Sequence, residues 1–237
     1  MRVMAGFVYS SVTIYRMVMR LLYRGDYDRK YQAVADLIPP GTKVVDLCAG
    51  DCVLAAKLSG KACQYIGLDL NPRFVNWACR AGIDARQFDV RTGDIPEADI
   101  VCMQSSLYHF MPDDEMLVQR MLVSARLMVI ISEPIANVAA SGHSFLSRLA
   151  VRATTVNGQK YPSRHTLESL TRLMDRIEPR GELVQRHKRE AIFVVRTNTF
   201  PPRTHDIPDT TLLQRRPSLG AECRTSHADA RPSSVAI

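Results

Sequence analysis

Three apolar segments of the chain each run into an aspartate near their end, and this feature constrains the fold most. The segments are Lys43–Leu47, Gln64–Leu68 and Ile83–Phe88. Helix-like patterns separate them, which predicts parallel strands joined by crossover helices. Because the carboxyl ends of parallel strands meet at one edge of a sheet, where open α/β sheets bind ligands, Asp46, Asp69 and Asp89 are predicted to line one crevice.

Four further segments complete the predicted sheet. Asp99–Met103 and Leu127–Ser132 continue the alternation of strands and helices, and Glu182–Arg186 and Ala191–Arg196 follow near the end of the domain. Only four residues join the last two, so they must form an antiparallel hairpin, since a parallel connection needs a dozen residues or more. The predicted fold is α/β, with a doubly wound, mostly parallel seven-stranded sheet and a C-terminal antiparallel hairpin.

Local signals predict where the helices begin. One helix is expected near Val53–Leu58. Asn71 and Pro72 suit the cap and the first turn of the next helix. Pro112, Asp113 and Asp114 open another, and Ser163 is predicted to cap a helix that runs to about Ile177.

The segments on either side of the predicted domain, residues 27–197, differ from it. Residues 1–26 are apolar but interrupted by Arg16 and Arg20, which favours an amphipathic helix or lid over a signal peptide or membrane span. Contact with a membrane surface is the alternative. The apolar side of this amphipathic helix would carry Phe7, Ile14, Val18, Leu21 and Leu22. Residues 198–237 have prolines and serines but no hydrophobic period, and are predicted to be disordered.

Charge and cysteine usage limit the partners and the compartment. The net charge of +7 is spread along the chain, which does not favour nucleic acid as a partner. Of six cysteines, four (Cys48, Cys63, Cys79 and Cys102) lie in or beside predicted core elements. Buried free thiols predict a reducing, cytoplasmic location. No C-x2-C pair indicates a metal site, and a redox or metal role for the C-x3-C pair of Cys48 and Cys52 is the alternative.

The first strand and its turn carry the most specific pattern, V-V-D-L-C-A-G-D-C over residues 44–52. Small residues in such a turn let the backbone approach a ligand closely. The segment resembles the D-x-G-x-G-x-G motif of the class I S-adenosylmethionine-dependent methyltransferases. Asp69, the Asp89-Val90 pair and the terminal hairpin are also similar to that family, over about residues 27–196.

The resemblance implies S-adenosylmethionine (SAM) as cofactor. Asp69 would hold the ribose, and Asp89 and Val90 would lie beside the adenine. The implied cofactor site comprises Asp46, Cys48, Ala49, Gly50, Asp69, Leu70, Asp89, Val90 and Gln104. The chain departs from the motif at Cys48 and Cys52, where the family has glycine, and Cys48 is expected to avoid a positive φ.

The segment after the fourth predicted strand, where this family places specialised groups, contains Tyr108 and His109. His109 is the candidate base or substrate-orienting group, and Tyr108 accompanies it; the alternative is that His109 caps or packs a helix. Glu133 ends the fifth predicted strand and could point into the crevice or cap the next segment. Tyr27 and Tyr31 could cover the cofactor or pack in the core. A substrate-side insertion is predicted over residues 136–161, with polar members His143, Ser147, Asn157 and Tyr161.

The sequence thus predicts a methyltransferase that acts on oxygen, nitrogen or carbon of a small-molecule acceptor. Two other functions remain open. A protein that keeps this fold but has lost turnover through Cys48 and Cys52 would be a binding or scaffold protein. A nicotinamide-dependent reductase would also use a ribose-binding acid, although the missing G-x-G-x-x-G turn and the hairpin count against it.

Overall fold

The computed structural model describes residues 12–23, 26–135, 164–187 and 190–197. Within these residues, seven strands form one sheet in the order β3-β2-β1-β4-β5-β7-β6. The strands are β1 Lys43–Leu47, β2 Gln64–Asp69, β3 Ala85–Gln87, β4 Ala98–Gln104, β5 Ala125–Pro134, β6 Glu182–His187 and β7 Glu190–Arg196. β1 to β5 pair in parallel, and β7 pairs antiparallel with both β5 and β6. The predicted fold class is confirmed.

Six helices and one 3₁₀ helix connect the strands in the described part of the chain. They are α1 Val12–Tyr23, α2 Asp26–Leu37, α3 Val53–Leu58, α4 Pro72–Arg80, the 3₁₀ helix Leu107–Phe110, α5 Asp114–Ser124 and α6 Leu167–Arg176. The Asn71 side chain caps α4 as predicted. The prediction that Ser163 caps α6 is wrong, because Thr166 exchanges capping hydrogen bonds with Ser169 and starts the helix at Leu167. Ser163 itself lies outside the described residues.

Two strands, β3 and β5, differ from their predicted lengths by more than two residues, and the number of neighbouring strands explains both differences. β3 covers only Ala85–Gln87, and Asp89 follows it by two residues rather than ending it. It is an edge strand with a partner on one side only. β5 is longer than predicted, Ala125–Pro134, because β4 and β7 supply ladder partners on both of its sides.

Helices cover both faces of the sheet. On one face, α2 and α3 pack on the central strands through buried residues that include Tyr27, Tyr31, Val34 and Leu54. On the other, α5 and α6 pack through residues that include Leu117, Val118, Leu170 and Leu173. The central strands are apolar on both faces, as expected for parallel strands with a helix layer on each side.

Helix α1 lies against α4. The Tyr15 and Phe74 rings meet edge-on with centroids 5.0 Å apart, and the Arg16 guanidinium lies 5.0 Å from the Trp77 ring centroid. The predicted apolar side is wrong at Leu21, which is 74% exposed, because α1 attaches through its Tyr15 and Arg16 side instead. Phe7 lies outside the described residues. No helix in the described ranges is long and apolar enough to cross a bilayer.

Candidate functional site

The turn between β1 and α3 has a left-handed backbone at three alternate positions. Cys48, Gly50 and Cys52 have φ values of 55°, 54° and 50°. The expectation that Cys48 avoids a positive φ is therefore wrong. The amide of Ala49 donates to Leu68 O at 3.0 Å, and that of Cys52 donates to Ala49 O at 2.9 Å, so hydrogen bonds impose this path on the cysteines. Two cysteines of this turn therefore adopt a backbone conformation that ordinarily favours glycine.

Asp69 bridges this turn to the start of α4. Its Oδ2 accepts a hydrogen bond from the Gly50 amide at 2.8 Å, and its Oδ1 accepts one from the Asn71 amide at 2.8 Å. Burial raises the pKa of Asp69, while the two amide hydrogen bonds act in the opposite direction. The carboxylate thus fixes the mouth of the crevice between β1 and β2.

Asp46 lies in the sheet beneath the turn rather than on its surface. It is 2% exposed, and its carboxylate accepts hydrogen bonds from the Tyr65 hydroxyl at 2.8 Å and from the Cys102 thiol at 3.5 Å. Burial raises the pKa of Asp46 to about 7. These contacts support the turn from below, and a direct contact of Asp46 with the cofactor stays a prediction.

The predicted adenine side combines one exposed and one buried apolar residue. Leu70, directly after Asp69, is 52% exposed, whereas Val90 is buried. The Asp89 carboxylate accepts a hydrogen bond from the Arg91 amide at 2.9 Å and so shapes the turn in which it lies. Arg120 of α5 holds that turn through Val90 O at 2.6 Å.

Glu133 fixes the backbone of the loop after β4 through hydrogen bonds. It is fully buried, and its Oε1 accepts hydrogen bonds from the amides of Ser106 and Leu107 at 2.6 and 2.8 Å. Of its two predicted roles, the structure therefore supports capping, although the capped element is the 3₁₀ helix before it and not the segment after it. Burial raises the pKa of Glu133 to about 7, and the charge of Glu190 adds to this.

Tyr108 and His109 lie on that 3₁₀ helix with their ring centroids 4.0 Å apart. The Arg91 guanidinium donates to the His109 carbonyl at 3.0 Å, and the Arg164 guanidinium lies 5.4 Å from the Tyr108 ring centroid. Burial, followed by the charges of Arg164 and Arg91, lowers the pKa of His109 to about 4. The imidazole is therefore neutral at pH 7, and it is a weaker base than a free imidazole.

A buried ion pair under the turn escaped the sequence prediction. Asp51 is 1% exposed, and its carboxylate accepts a hydrogen bond from Tyr27 at 3.0 Å and pairs with Arg16 at 3.1 Å. Tyr27 and Tyr31 are both buried, with edge-to-face rings 5.3 Å apart, so they pack in the core. Arg16 was visible in the sequence only as a charge that interrupts an apolar segment.

The structure thus brings most predicted cofactor residues to the carboxyl ends of β1, β2 and β4. Gln104 ends β4 and is buried. His143, Ser147, Asn157 and Tyr161 lie outside the described residues. In the described ranges, no group of three metal-ligating side chains could hold an ion. Burial raises the pKa of the Cys48 and Cys52 thiols, so both stay protonated, which disfavours a redox or metal role.

Asp69, Gly50 and Leu70 have the chemistry to hold a nucleoside that carries an amino-acid group, as SAM does. Each oxygen of Asp69 accepts one hydrogen bond from the protein, and a carboxylate can accept about four in all. Gly50 has no side chain where the turn faces α1, and the nearest atom to a Cβ added there, the Tyr15 hydroxyl, lies 4.0 Å away. Leu70 offers an exposed apolar surface beside Asp69.

Replacing Cys48 by glycine should raise the free energy of unfolding by about 0.5–1 kcal/mol, because a left-handed backbone costs a side-chain-bearing residue about 1–2 kcal/mol. Cys52→Gly should raise the free energy of unfolding by a smaller amount, since the buried Cys52 sulfur packs against Gly67 and this contact would be lost. Urea unfolding measures both. Ala62→Gly is the matched control, because Ala62 is exposed with a φ of 52°. A less stable Cys48→Gly variant beside a stabilised Ala62→Gly variant would show that the turn is not strained.

Comparisons with known proteins give structural neighbours only. No protein-family model matches the chain, and no curated protein matches it. The magnesium protoporphyrin IX methyltransferase of Synechocystis, solved with SAH, has a TM-score of 0.57 and 13% identity over 77% of this chain and 87% of its own. Human N-acetylserotonin methyltransferase, solved with SAM, has a TM-score of 0.57 and 17% identity over 83% of this chain and 59% of its own.

A third neighbour is an O-methyltransferase family 2 protein from Planctomyces limnophilus, solved in complex with apigenin. Its TM-score is 0.55 at 15% identity, over 76% of this chain and 59% of its own. This chain therefore spans a little over half the length of two of these three neighbours. At such identities the likeness bears on the fold. The strand order, the terminal hairpin and these neighbours together show that the chain has the class I S-adenosylmethionine-dependent methyltransferase fold.

Proposed function

We propose that this protein is a SAM-dependent methyltransferase that acts on a small-molecule acceptor. The observation that carries the proposal is the Asp69 carboxylate, hydrogen-bonded to the amide of Gly50 across the ends of β1 and β2. It lies where open α/β sheets bind ligands. Neighbours of the same fold were solved with SAM or SAH, and one was solved with apigenin, which supports a small-molecule acceptor.

Residues of this chain supply the parts of a cofactor site. The remaining lone pairs of Asp69 would accept hydrogen bonds from the two ribose hydroxyls, and Leu70, Val90 and Asp89 would border the adenine. The backbone at Cys48, Ala49 and Gly50 and the amide of Gln104 would face the amino-acid end. When bound, SAM supplies an electrophilic methyl group on a sulfonium, which is transferred by in-line displacement, so alignment alone contributes much of the rate.

The acceptor side requires a proton acceptor only if the attacking atom must lose a proton. His109 is the candidate for this role; its neutral imidazole could orient the acceptor or take up the proton, and its pKa, lowered to about 4, favours orientation. Tyr108 stacks on His109, and we assign it a positioning role. Arg91 fixes the backbone of His109 from the β3 side.

His109→Ala should reduce SAH release with a panel of phenol, amine and carboxylate acceptors by about 10²–10⁴-fold, the usual contribution of a general base. Binding of SAH should not change, because His109 lies outside the proposed cofactor contacts. Tyr108→Phe is the companion variant: it keeps the stacked ring, and so should keep most of the activity. Full activity of His109→Ala would reduce the histidine to packing.

The experiment that tests the function first is calorimetric titration with SAH, with NADH as the control. Micromolar binding of SAH alone would support the proposal, and binding of NADH alone would favour the reductase. One observation favours an inactive scaffold instead, namely that cysteines occupy two left-handed turn positions. Failure of SAH to bind the wild-type protein, with binding restored by Cys48→Gly and Cys52→Gly, would support the scaffold.

Location and further partners follow from weaker observations. We place the protein in the cytoplasm, because the five described cysteines are all free thiols. A peripheral membrane contact through α1 stays a prediction; Met17 and Leu21 are 65% and 74% exposed on its outer side. Nucleic acid is not proposed as a partner. The division into residues 1–26, 27–197 and 198–237 also stays a prediction.

A further inference from the structure

Two arginines flank the 3₁₀ helix that carries His109. Arg91 lies in the turn after β3, and its guanidinium donates to the His109 carbonyl at 3.0 Å and lies 4.7 Å from the Phe110 ring centroid. Arg164 lies before α6, and its guanidinium is 5.4 Å from the Tyr108 ring centroid. Two segments that are far apart in the sequence thus bring two positive charges to the same four-residue helix.

Both charges act on the His109 imidazole. After burial, the charges of Arg164 and Arg91 are the causes that lower the pKa of His109 to about 4. A positive charge disfavours the imidazolium when it lies close by, so both guanidinium groups lie near the imidazole. Among the described residues, no carboxylate offsets these two charges at His109. The surroundings of the candidate acceptor-side histidine are therefore positively charged.

The two arginines have donors that the protein does not use for ion pairs. In the described ranges, neither guanidinium pairs with a carboxylate. Arg91 uses one of its five N–H donors in the hydrogen bond to the His109 carbonyl. Residues 134–163, which connect β5 to Arg164, include three Lys or Arg and no Asp or Glu, so this connection brings no carboxylate to the arginines.

We propose that Arg91 and Arg164 bind an oxyanion of the acceptor, a carboxylate or a phosphate monoester, beside His109. The planar guanidinium group matches both anions, because its N–H donors can form two parallel hydrogen bonds to two oxygens. The inference rests on the proposed function and deepens it, since it identifies the acceptor as an anion. A protonated amine is disfavoured as acceptor, because the two positive charges repel it.

The first experiment is calorimetric titration of the SAH complex with benzoate and with phenyl phosphate, and with benzyl alcohol as the uncharged control. The wild-type complex should bind at least one anion in preference to benzyl alcohol, and the preferred anion distinguishes a carboxylate from a phosphate. Arg91→Met and Arg164→Met should each weaken anion binding about 10-fold, as expected when a hydrogen bond to a charged group is lost. Binding of benzyl alcohol should not change.

Matched variants separate the charge from packing on the aromatic rings. SAH affinity should stay unchanged in Arg91→Met, because the backbone amide that contacts Asp89 remains. Arg172→Met on α6 removes an exposed arginine that pairs with Glu168, and it should keep the anion preference. Arg91→Lys and Arg164→Lys keep the charge without the planar donors, so they should retain part of the anion affinity.

The second experiment measures the pKa of His109 by nuclear magnetic resonance of its imidazole protons, with His109→Ala identifying the signal. Arg91→Met and Arg164→Met should each raise the pKa of His109 from about 4 towards its ordinary value of 6.5, because each removes a nearby positive charge. A bound anion should raise it in the wild-type protein for the same reason. Arg172→Met should leave it unchanged.

Two results would overturn the inference while the proposed function stands. One is a wild-type SAH complex that binds both anions no better than benzyl alcohol at millimolar concentrations. The other is an anion preference that survives in both Arg91→Met and Arg164→Met, each folded by circular dichroism. Failure of the wild-type protein to bind SAH would instead overturn the proposed function, and with it the assignment of this anion site to an acceptor.

Discussion

Asp69→Ala should weaken SAH binding by about 1.5–3 kcal/mol, or roughly 10- to 150-fold, as expected when hydrogen bonds to a charged group are lost. The structure adds a second reason for a large effect. The same carboxylate accepts hydrogen bonds from the amides of Gly50 and Asn71. Its loss therefore also releases the turn whose backbone is proposed to contact the cofactor. Calorimetric titration with SAH measures the change.

A matched control separates binding from stability. The Asp99 Oδ2 also accepts a hydrogen bond from a backbone amide, that of Lys43 at 2.8 Å, but at the amino ends of β1 and β4. Asp99→Ala should therefore lose a similar amount of stability without a change in SAH affinity. Equal weakening by both variants would mean that Asp69 acts only through stability, and unchanged SAH affinity in Asp69→Ala would remove its assignment to the ribose.

Glu133→Gln should make the protein more stable than the wild type at pH 8 by about 2–3 kcal/mol, with the advantage vanishing near pH 4.5. The pKa of Glu133 is raised to about 7 in the folded protein, whereas the unfolded chain releases the same proton near pH 4.5. Between these values the folded state binds more protons than the unfolded state, so stability falls as the pH rises. Glutamine keeps the acceptor for the Ser106 and Leu107 amides but does not titrate.

Urea unfolding of wild type and variant at several pH values between 4.5 and 8 measures this difference. Asp46, with its pKa also raised to about 7, contributes in the same direction to both proteins, and His109 contributes in the opposite direction below about pH 6.5. The difference between the two proteins therefore isolates Glu133. Glu168→Gln, on the exposed side of α6, is the control for replacing a glutamate by glutamine at the surface.

Glu133→Ala should be less stable than the wild type at pH 4.5, where the ionisation of Glu133 costs the folded wild type little. It leaves two amides of the 3₁₀ helix without their acceptor, at a cost of about 1–3 kcal/mol each. A glutamine variant that is no more stable at pH 8 than at pH 4.5, relative to the wild type, would show that Glu133 ionises normally. The alanine variant would still report on the capping role.

The fold could be predicted from the sequence because its signals are local. Apolar strands such as Leu127–Ser132, the Asn71-Pro72 helix start and the four-residue link between the last strands each depend on neighbouring residues, through side-chain periodicity, cap chemistry and chain reach. The aspartate that ends β2 indicated the position of the crevice for the same reason, since the carboxyl ends of parallel strands must meet at one edge. These features needed no knowledge of what packs against them.

The tertiary structure alone decided the charges and the strain of the site. Lys30 contacts Ser105 and Glu133 contacts Ser106 and Leu107 across long stretches of sequence, and only the sheet brings these residues together. Burial then determines which groups keep their charge, because the surroundings of a side chain, and not its type, set the cost of desolvation. Hydrogen bonds around the turn likewise impose the left-handed backbone on Cys48, which its residue type disfavours.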